Sequence, residues 1–170
     1  HKYYLVSCHR EENVDNNENL TDLVTTLNQI HKTKKLPILI SLHPRTRKNL
    51  KKLKLDLSPG IKTHKPFGFI DYIKLQKNAK TVLSDSGTIN EESSILNFPA
   101  INIREAHERP EAMEEASVIM SGLKSNRVLQ ALKIIESQPR GEDRLLNPVY
   151  DYSSDNVSSK VTRIILSYVD

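Results

Sequence analysis

Short apolar segments alternate with longer amphipathic segments along most of this chain, and this alternation limits its possible folds more than any other feature. Several short segments are continuous apolar runs, which is typical of parallel strands covered on both faces. The predicted strands are Tyr3–Cys8, Pro37–Leu42, Ile61–His64, Thr81–Ser84, Pro99–Ile103 and Ser117–Met120.

The longer segments have the spacing of helices with one buried face, as Leu20, Leu23 and Leu27 illustrate. Strands that alternate with helices indicate an α/β fold, here a Rossmann-like, doubly wound parallel sheet within a single domain of residues 1–170. The order of the strands cannot be read from the sequence. The predicted helices are Asn17–Lys32, Thr46–Leu53, Phe69–Asn78, Ile89–Leu96, Asn126–Ser137 and Asn156–Val169.

Composition argues against several classes of protein. A net charge of +4 would suit nucleic-acid binding, but the basic residues cluster in 45–54 and an aromatic content of 5% is too low for base stacking. No apolar run is long enough to cross a membrane. The single cysteine, Cys8, cannot form an internal disulfide and favours the cytoplasm, and no His/Cys spacing suggests a metal site. The chain opens with His1 and soon enters a strand, so we expect it to begin inside a larger protein.

Polar residues that can carry chemistry follow the predicted strands at the point where each strand ends. His9 and Arg10 follow the first strand, His43 follows the second, Asp85 the fourth and Arg104 the fifth. Ligands of open α/β sheets bind at this edge, near the point where the strand order reverses. The sequence therefore predicts a binding site at the carboxyl edge of the sheet.

The segment Ser84–Glu92 combines a strand end, a tight polar turn and the start of a helix. Gly87 allows close approach of a ligand, Ser86 and Thr88 carry hydroxyls, and the N–H groups that open the helix can bind phosphate. Glu92 is spaced to accept hydrogen bonds from ribose. An ordinary helix cap uses the same residue types, so both interpretations stay open. The chain has no dinucleotide-binding fingerprint and no P-loop, which argues against NAD and ATP.

A second cluster follows the fifth strand in the order His107, Glu108, Arg109, Pro110 and Glu111. Arg109 can form two parallel hydrogen bonds with a phosphate or a carboxylate. Pro110 is expected to start a short helix that aims this arginine. A surface ion-pair network explains the cluster equally well.

Two histidines and two aromatic residues complete the candidate site. We expect His9 to titrate near neutral pH, and His43 is a weaker candidate of the same kind. Phe67 and Tyr72 are spaced to stack on a nucleobase, although packing of an amphipathic helix explains Tyr72 equally well.

Taken in order, these segments resemble the non-hydrolysing UDP-N-acetylglucosamine 2-epimerases. The matching positions are Cys8–Asn13, Ser84–Glu92 and His107–Glu111, and Asn147 and Pro148 before the last helix are similar to the end of that family. The family has two Rossmann-like domains in the glycosyltransferase-B arrangement, with the active site between them. The resemblance implies that this chain is the C-terminal half, that its N-terminal catalytic domain is missing, and that the full-length protein is a homodimer. We expect the helix within 155–169 to pack on the missing domain.

The resemblance divides the candidate residues by the part of the ligand they would contact. Phe67 and Tyr72 would contact uracil, and Glu92 would hold the ribose. His9 would be catalytic, and His43 matches a histidine of a second, regulatory UDP-sugar site. The diphosphate would lie against Arg10, Ser86, Gly87, Thr88 and Arg109.

The implied reaction inverts C2 of a UDP-2-acetamido sugar by eliminating UDP and adding it back, without a metal or any other cofactor. The N-terminal domain supplies the main acid–base carboxylates, so the isolated chain should be inactive. Three positions depart from the usual family pattern, and one of them, Glu11, counts against the regulatory site; the three are Glu11, Thr88 and His107.

Two segments, Ser-Asp-Ser-Gly-Thr and His-Glu-Arg-Pro-Glu, are more similar to the branch that forms UDP-N-acetyl-L-fucosamine for capsule or O-antigen. The alternatives are interconversion of UDP-N-acetylglucosamine and UDP-N-acetylmannosamine, or the nucleotide-sugar domain of a glycosyltransferase.

Overall fold

A six-stranded sheet runs through the centre of the molecule. The structure is a computed structural model that describes residues 1–106 and 108–168. Neighbouring strands are parallel throughout, and their order is β3-β2-β1-β4-β5-β6, which confirms the doubly wound, Rossmann-like sheet. All six predicted strands are present, most of them a residue or two shorter at their ends. They are β1 (Tyr4–Ser7), β2 (Ile38–Ser41), β3 (Ile61–His64), β4 (Val82–Ser84), β5 (Ala100–Asn102) and β6 (Ile119–Met120).

The helices lie where the amphipathic segments predict them, with one addition. A short helix after β1 was not predicted, because four residues give no helical period to read. The last helix ends at Leu166 rather than at Val169, which lies outside the described residues. The helices are α1 (Glu11–Val14), α2 (Asn17–Lys34), α3 (Pro44–Lys52), α4 (Phe69–Asn78), α5 (Ile89–Leu96), α6 (Pro110–Glu114), α7 (Ser125–Ser137) and α8 (Val157–Leu166).

Alternate residues of β1 enter two separate apolar cores, one on each face of the sheet. Tyr4 and Val6 belong to the core that includes residues of α2 and α7, whereas Leu5 belongs to the core that includes Ile89 of α5. Each of these three β1 residues is at most 1% exposed. Burial of β1 from both sides holds its carboxyl end rigidly beside that of β4.

Helix α8 differs from the other long helices because none of its residues is buried. Its apolar residues Val161 and Ile164 are 48% and 58% exposed, and Ile165 is also exposed. An apolar helix face of this kind normally packs against another element.

Among the described residues, no helix is both long and apolar enough to span a membrane.

Candidate functional site

Most of the polar residues predicted at the strand ends meet where β1 and β4 lie side by side. The strand order reverses direction at this pair, since β2 and β3 lie on one side of β1 while β5 and β6 continue beyond β4. His9 and Arg10 leave β1 here, and Asp85 and Gly87 leave β4. Chain segments that diverge at such a point open a crevice in which ligands bind.

The buried carboxylate of Asp85 organises the chain as it leaves β1. It accepts hydrogen bonds from the backbone N–H groups of His9 (3.1 Å) and Arg10 (2.9 Å) and from Nδ2 of Asn13 (3.1 Å). The Nδ1 atom of His9 lies 3.3 Å from Asp85 Oδ1, while the His9 side chain is 55% exposed. Asp85 therefore orients His9 with its other ring nitrogen available to a ligand. The sequence placed Asp85 at a strand end but gave no signal for this role.

Cys8 also contacts Asp85, but its thiol is not a reactive group. The thiol donates to Asp85 Oδ2 at 3.1 Å and is 1% exposed. Burial, and then the Asp85 charge, raise the pKa of Cys8 well above its ordinary value, which keeps it protonated.

Within residues 1–106 and 108–168, no group of three or more His, Cys, Asp and Glu side chains is arranged to hold a metal ion.

A chain of hydrogen bonds joins Ser86, Thr88 and Glu92 at the start of α5. The Ser86 and Thr88 hydroxyl oxygens lie 2.9 Å apart, and Thr88 Oγ1 donates to Glu92 Oε1 at 2.9 Å. Gln76 donates to the other Glu92 oxygen. Among the described residues no side chain caps α5, so these hydroxyls do not serve as the ordinary helix cap that the sequence left open.

The guanidinium groups of Arg10 and Arg104 both contact the carboxylate of Glu108, which lies beside Gly87. Arg10 Nη2 lies 3.2 Å from Glu108 Oε2, and Arg104 Nη2 lies 3.1 Å from Glu108 Oε1. A Cβ atom added at Gly87 would lie 3.5 Å from Glu108 Oε2 and 3.9 Å from Arg10 Nη2. Hydrogen bonds from Arg104 and Arg10 lower the pKa of Glu108, so the carboxylate is charged. The sequence placed Arg104 and Glu108 after the fifth strand, but it predicted a ligand contact for Arg10 and for neither of these two.

Arg109 pairs with an acidic residue in the first turn of α5. Its Nε donates to Glu91 Oε1 at 2.6 Å, and its Nη1 donates to the Glu108 carbonyl at 3.0 Å. Pro110 starts α6, as predicted. Arg109 thus takes part in the ion pairing that the sequence left open, and the guanidinium that lies beside Gly87 is that of Arg10. His107 lies outside the described residues.

The remaining candidates lie on two other parts of this edge. His43 caps α3, because its Nδ1 accepts the Arg45 N–H at 3.3 Å. Phe67 stacks on His64 with 4.3 Å between ring centroids. Tyr72 lies beside Ser7 and Gln76, and it is near enough to Glu92 for the charge of that carboxylate to act on it.

Tyr72 gives a testable dependence of stability on pH. Burial raises the pKa of Tyr72 from 10.0 to about 12. Since the folded chain favours the protonated phenol, this contribution to stability is complete below pH 10.0 and is lost as the pH rises through about 12. We expect urea unfolding to show a fall over this window that is smaller in Tyr72→Phe. The control is Tyr150→Phe, since Tyr150 is 84% exposed; an equal fall in both variants would contradict the assignment.

Comparison with known proteins settles the family to which this arrangement belongs. Residues 1–166 match the family described as UDP-N-acetylglucosamine 2-epimerase. The chain belongs to this family. The resemblance inferred from the three segments is thereby confirmed at the level of the family, while the L-fucosamine-forming branch stays a prediction.

Several relatives of known sequence or structure lie in the same family. A UDP-N-acetylglucosamine 2-epimerase of Methanococcus maripaludis is 36% identical over 160 residues, which are 92% of this chain and 43% of that protein. The structure of the Rickettsia bellii UDP-N-acetylglucosamine 2-epimerase is 45% identical with a TM-score of 0.85, and the match covers 98% of this chain and 44% of that one.

The Methanocaldococcus jannaschii UDP-GlcNAc 2-epimerase, solved in complex with UDP-GlcNAc and UDP, is 32% identical. Its TM-score is 0.85, and the match covers 97% of this chain and 45% of that one. This chain therefore spans less than half of the length of the relatives that it matches.

Proposed function

We propose that this chain is the UDP-binding half of a UDP-2-acetamido-sugar 2-epimerase and that an N-terminal domain forms the other half. The observation that carries the proposal is the position of the Arg10 guanidinium beside Gly87, at the uncapped start of α5. Cationic side chains and the N–H groups of a helix start are the donors that bind a diphosphate. Membership of the epimerase family supports UDP as the ligand.

The surrounding residues fit the rest of a UDP molecule. Glu92 is the acceptor for the ribose hydroxyls. If a ribose hydroxyl replaced Thr88 as the donor to Glu92, the Thr88 hydroxyl would be free to donate to the diphosphate. Tyr72 and Phe67 are the candidates for uracil. Phe67 would have to exchange its stacking partner, His64, for the base.

In the proposed reaction the sugar loses its C2 proton and its C1–O bond to UDP, which gives a 2-acetamidoglycal and free UDP. Protonation of C2 from the opposite face and return of the UDP oxygen to C1 complete the inversion. Donors that keep UDP in place while its charge develops lower both barriers. We assign His9 to this task, because Asp85 fixes its ring beside Arg10. The carboxylates that act at C2 would come from the N-terminal domain.

Helix α8 is proposed to pack against that N-terminal domain. Its exposed residues Val161, Ile164 and Ile165 form an apolar surface that the described part of this chain leaves uncovered. The C-terminal half of a two-domain enzyme would bury such a surface between its domains. The homodimer and the regulatory role of His43 remain predictions.

Calorimetry with UDP and with ATP tests the proposed ligand on this chain. We expect heat of binding with UDP and none with ATP, and no turnover of UDP-sugars by this chain alone. Binding of ATP with no response to UDP would overturn the proposal.

The full-length protein tests the reaction and the sugar. An epimerase incorporates one solvent deuterium at C2 of its UDP-sugar, which NMR detects, whereas a glycosyltransferase of the same architecture does not. Incubation with UDP-N-acetylglucosamine and with UDP-2-acetamido-2,6-dideoxy-L-talose then distinguishes the common reaction from the L-fucosamine-forming one that we propose. Turnover of the first substrate alone would remove the L-fucosamine assignment and leave the epimerase assignment intact.

Gly87 provides a test that separates binding from folding. In Gly87→Ala the new methyl would meet only ordinary contacts, the nearest at 3.5 Å, and Gly87 does not have a positive φ. We therefore expect stability to change by less than about 1 kcal/mol. Because the methyl would occupy the space of the diphosphate, UDP affinity should fall by about tenfold.

Gly60→Ala is the matched control. Its methyl would lie 2.0 Å from Cε1 of His31, whose ring is held by a 3.0 Å hydrogen bond to the Leu36 carbonyl. We expect it to lower the free energy of unfolding by about 2 kcal/mol. Urea unfolding measures the free energy of unfolding, and calorimetry measures the affinity for UDP. If Gly87→Ala binds UDP as tightly as the parent chain, the diphosphate does not lie against this turn.

A further inference from the structure

The carboxylate of Glu108 engages Arg10 in the way that a phosphate would. Arg10 Nη2 donates to Glu108 Oε2 at 3.2 Å and Arg10 Nη1 donates to Oε1 at 3.4 Å. This pair of parallel hydrogen bonds is the geometry with which arginine also recognises phosphate oxygens. A diphosphate that bound to Arg10 in this geometry would need the same two N–H groups.

Glu108 also lies at the place where the diphosphate is proposed to bind. Its Oε2 would be the atom nearest to a Cβ added at Gly87, at 3.5 Å. A carboxylate and a phosphate in contact repel each other strongly, so both cannot occupy this place. The two anions therefore compete for one position.

The contacts of Glu108 suit exchange better than permanent attachment. Its side chain is 48% exposed, so its carboxylate can turn into water at little cost. Arg104 is 5% exposed and would be left with a second acidic partner, because its Nε also donates to Glu12 Oε1 at 3.2 Å. Departure of Glu108 would thus free Arg10 without leaving a buried arginine unpaired.

We propose that Glu108 is an internal competitor that makes the site selective for anionic ligands. A ligand can form hydrogen bonds with the Arg10 guanidinium only by displacing the Glu108 carboxylate. A neutral group would lose the ion pair between Arg10 and Glu108 without replacing it. The inference rests on the proposed function for the identity of the ligand, but it concerns the phosphate position alone. The alternative is a positioning role, in which Glu108 stays in place and holds Arg10 in the correct orientation.

Calorimetry at low salt on Glu108→Gln, with UDP and with inorganic pyrophosphate as probes, separates these roles. If Glu108 competes, the variant should bind both probes about fivefold more tightly. If Glu108 positions Arg10, both probes should bind more weakly. Glu108→Ala must also bind more tightly, since it removes the carboxylate without adding an amide that could keep part of the contact.

The control is Glu105→Gln, which removes the same charge from an exposed residue of the same loop, located beside Gly122. Its affinities should stay within about twofold of the parent chain, because an exposed charge acts weakly at a distance. Equal changes in Glu105→Gln and Glu108→Gln would overturn the inference. UDP binding by the parent chain with no gain in either Glu108 variant would also overturn it while leaving the proposed function standing. Tighter pyrophosphate binding in both Glu108 variants, with no response to UDP in the parent chain, would support the inference and overturn the proposed function.

Discussion

Replacing Asp85 with asparagine is expected to lower the free energy of unfolding by about 3 kcal/mol. The carboxylate is fully buried and accepts the N–H groups of His9 and Arg10 as well as Nδ2 of Asn13. An amide has one acceptor oxygen fewer, and its NH2 group would face donors that then lose their partner in a site closed to water. Urea unfolding of the parent chain and of Asp85→Asn measures the difference.

The matched control for this substitution is Asp56→Asn, since Asp56 is an exposed aspartate. We expect a change within about 0.5 kcal/mol for it. Asp85→Asn should also lose UDP affinity, because the backbone that carries His9 and Arg10 depends on this carboxylate. A variant with the stability of the Asp56→Asn control would show that Asp85 does not organise the end of β1.

The second large effect is expected from Arg10→Ala, which should weaken UDP binding by about 2 kcal/mol, or roughly thirtyfold. Arg10 is the arginine whose guanidinium lies beside Gly87, and its side chain is 32% exposed, so its loss should leave the fold intact. Arg109→Ala should have a smaller effect, because the Arg109 guanidinium is held by Glu91 and by the Glu108 carbonyl. Calorimetry with UDP gives the two affinities.

Lys51→Ala is the control for the loss of one positive charge. Lys51 is an exposed residue in the last turn of α3. We expect its UDP affinity to match that of the parent chain. If Arg109→Ala weakens binding more than Arg10→Ala does, the diphosphate lies nearer to α6 than we propose. Equal affinities in all three variants would mean that the site lies elsewhere.

The two substitutions act on different parts of one arrangement. Asp85 holds the backbone that leaves β1, whereas Arg10 projects from that backbone to the turn that leaves β4. A loss of stability in Asp85→Asn together with a loss of affinity alone in Arg10→Ala would separate support from binding. Loss of both quantities in both variants would make the site inseparable from the fold.

Residue spacing along the chain predicts most of the helices and strands, and it predicts the edge of the sheet at which the polar residues collect. Most of the strands follow from apolar runs such as Pro37–Leu42, and the longer helices follow from their apolar spacing, because burial on one or both faces leaves a periodic record in the residues. Strand β3 is an exception, since only Ile61 of its four residues is buried. The turn before α5 was also readable, since its glycine and hydroxyl residues adjoin a helix start. These features depend on residues that are neighbours along the chain.

Which charged groups meet depends on how the chain folds. The partners of Asp85 are 72 to 77 residues away in sequence, and those of Glu108 include Arg10 at a separation of 98 residues. No local period records such a pairing, and an arginine has the same appearance in a sequence whether it contacts a glutamate or a phosphate. The strand order, which places β4 between β1 and β5, brings these segments together. For this reason the position of Arg10 rather than Arg109 beside Gly87, and the pairing of Arg10 with Glu108, are visible only in the assembled fold.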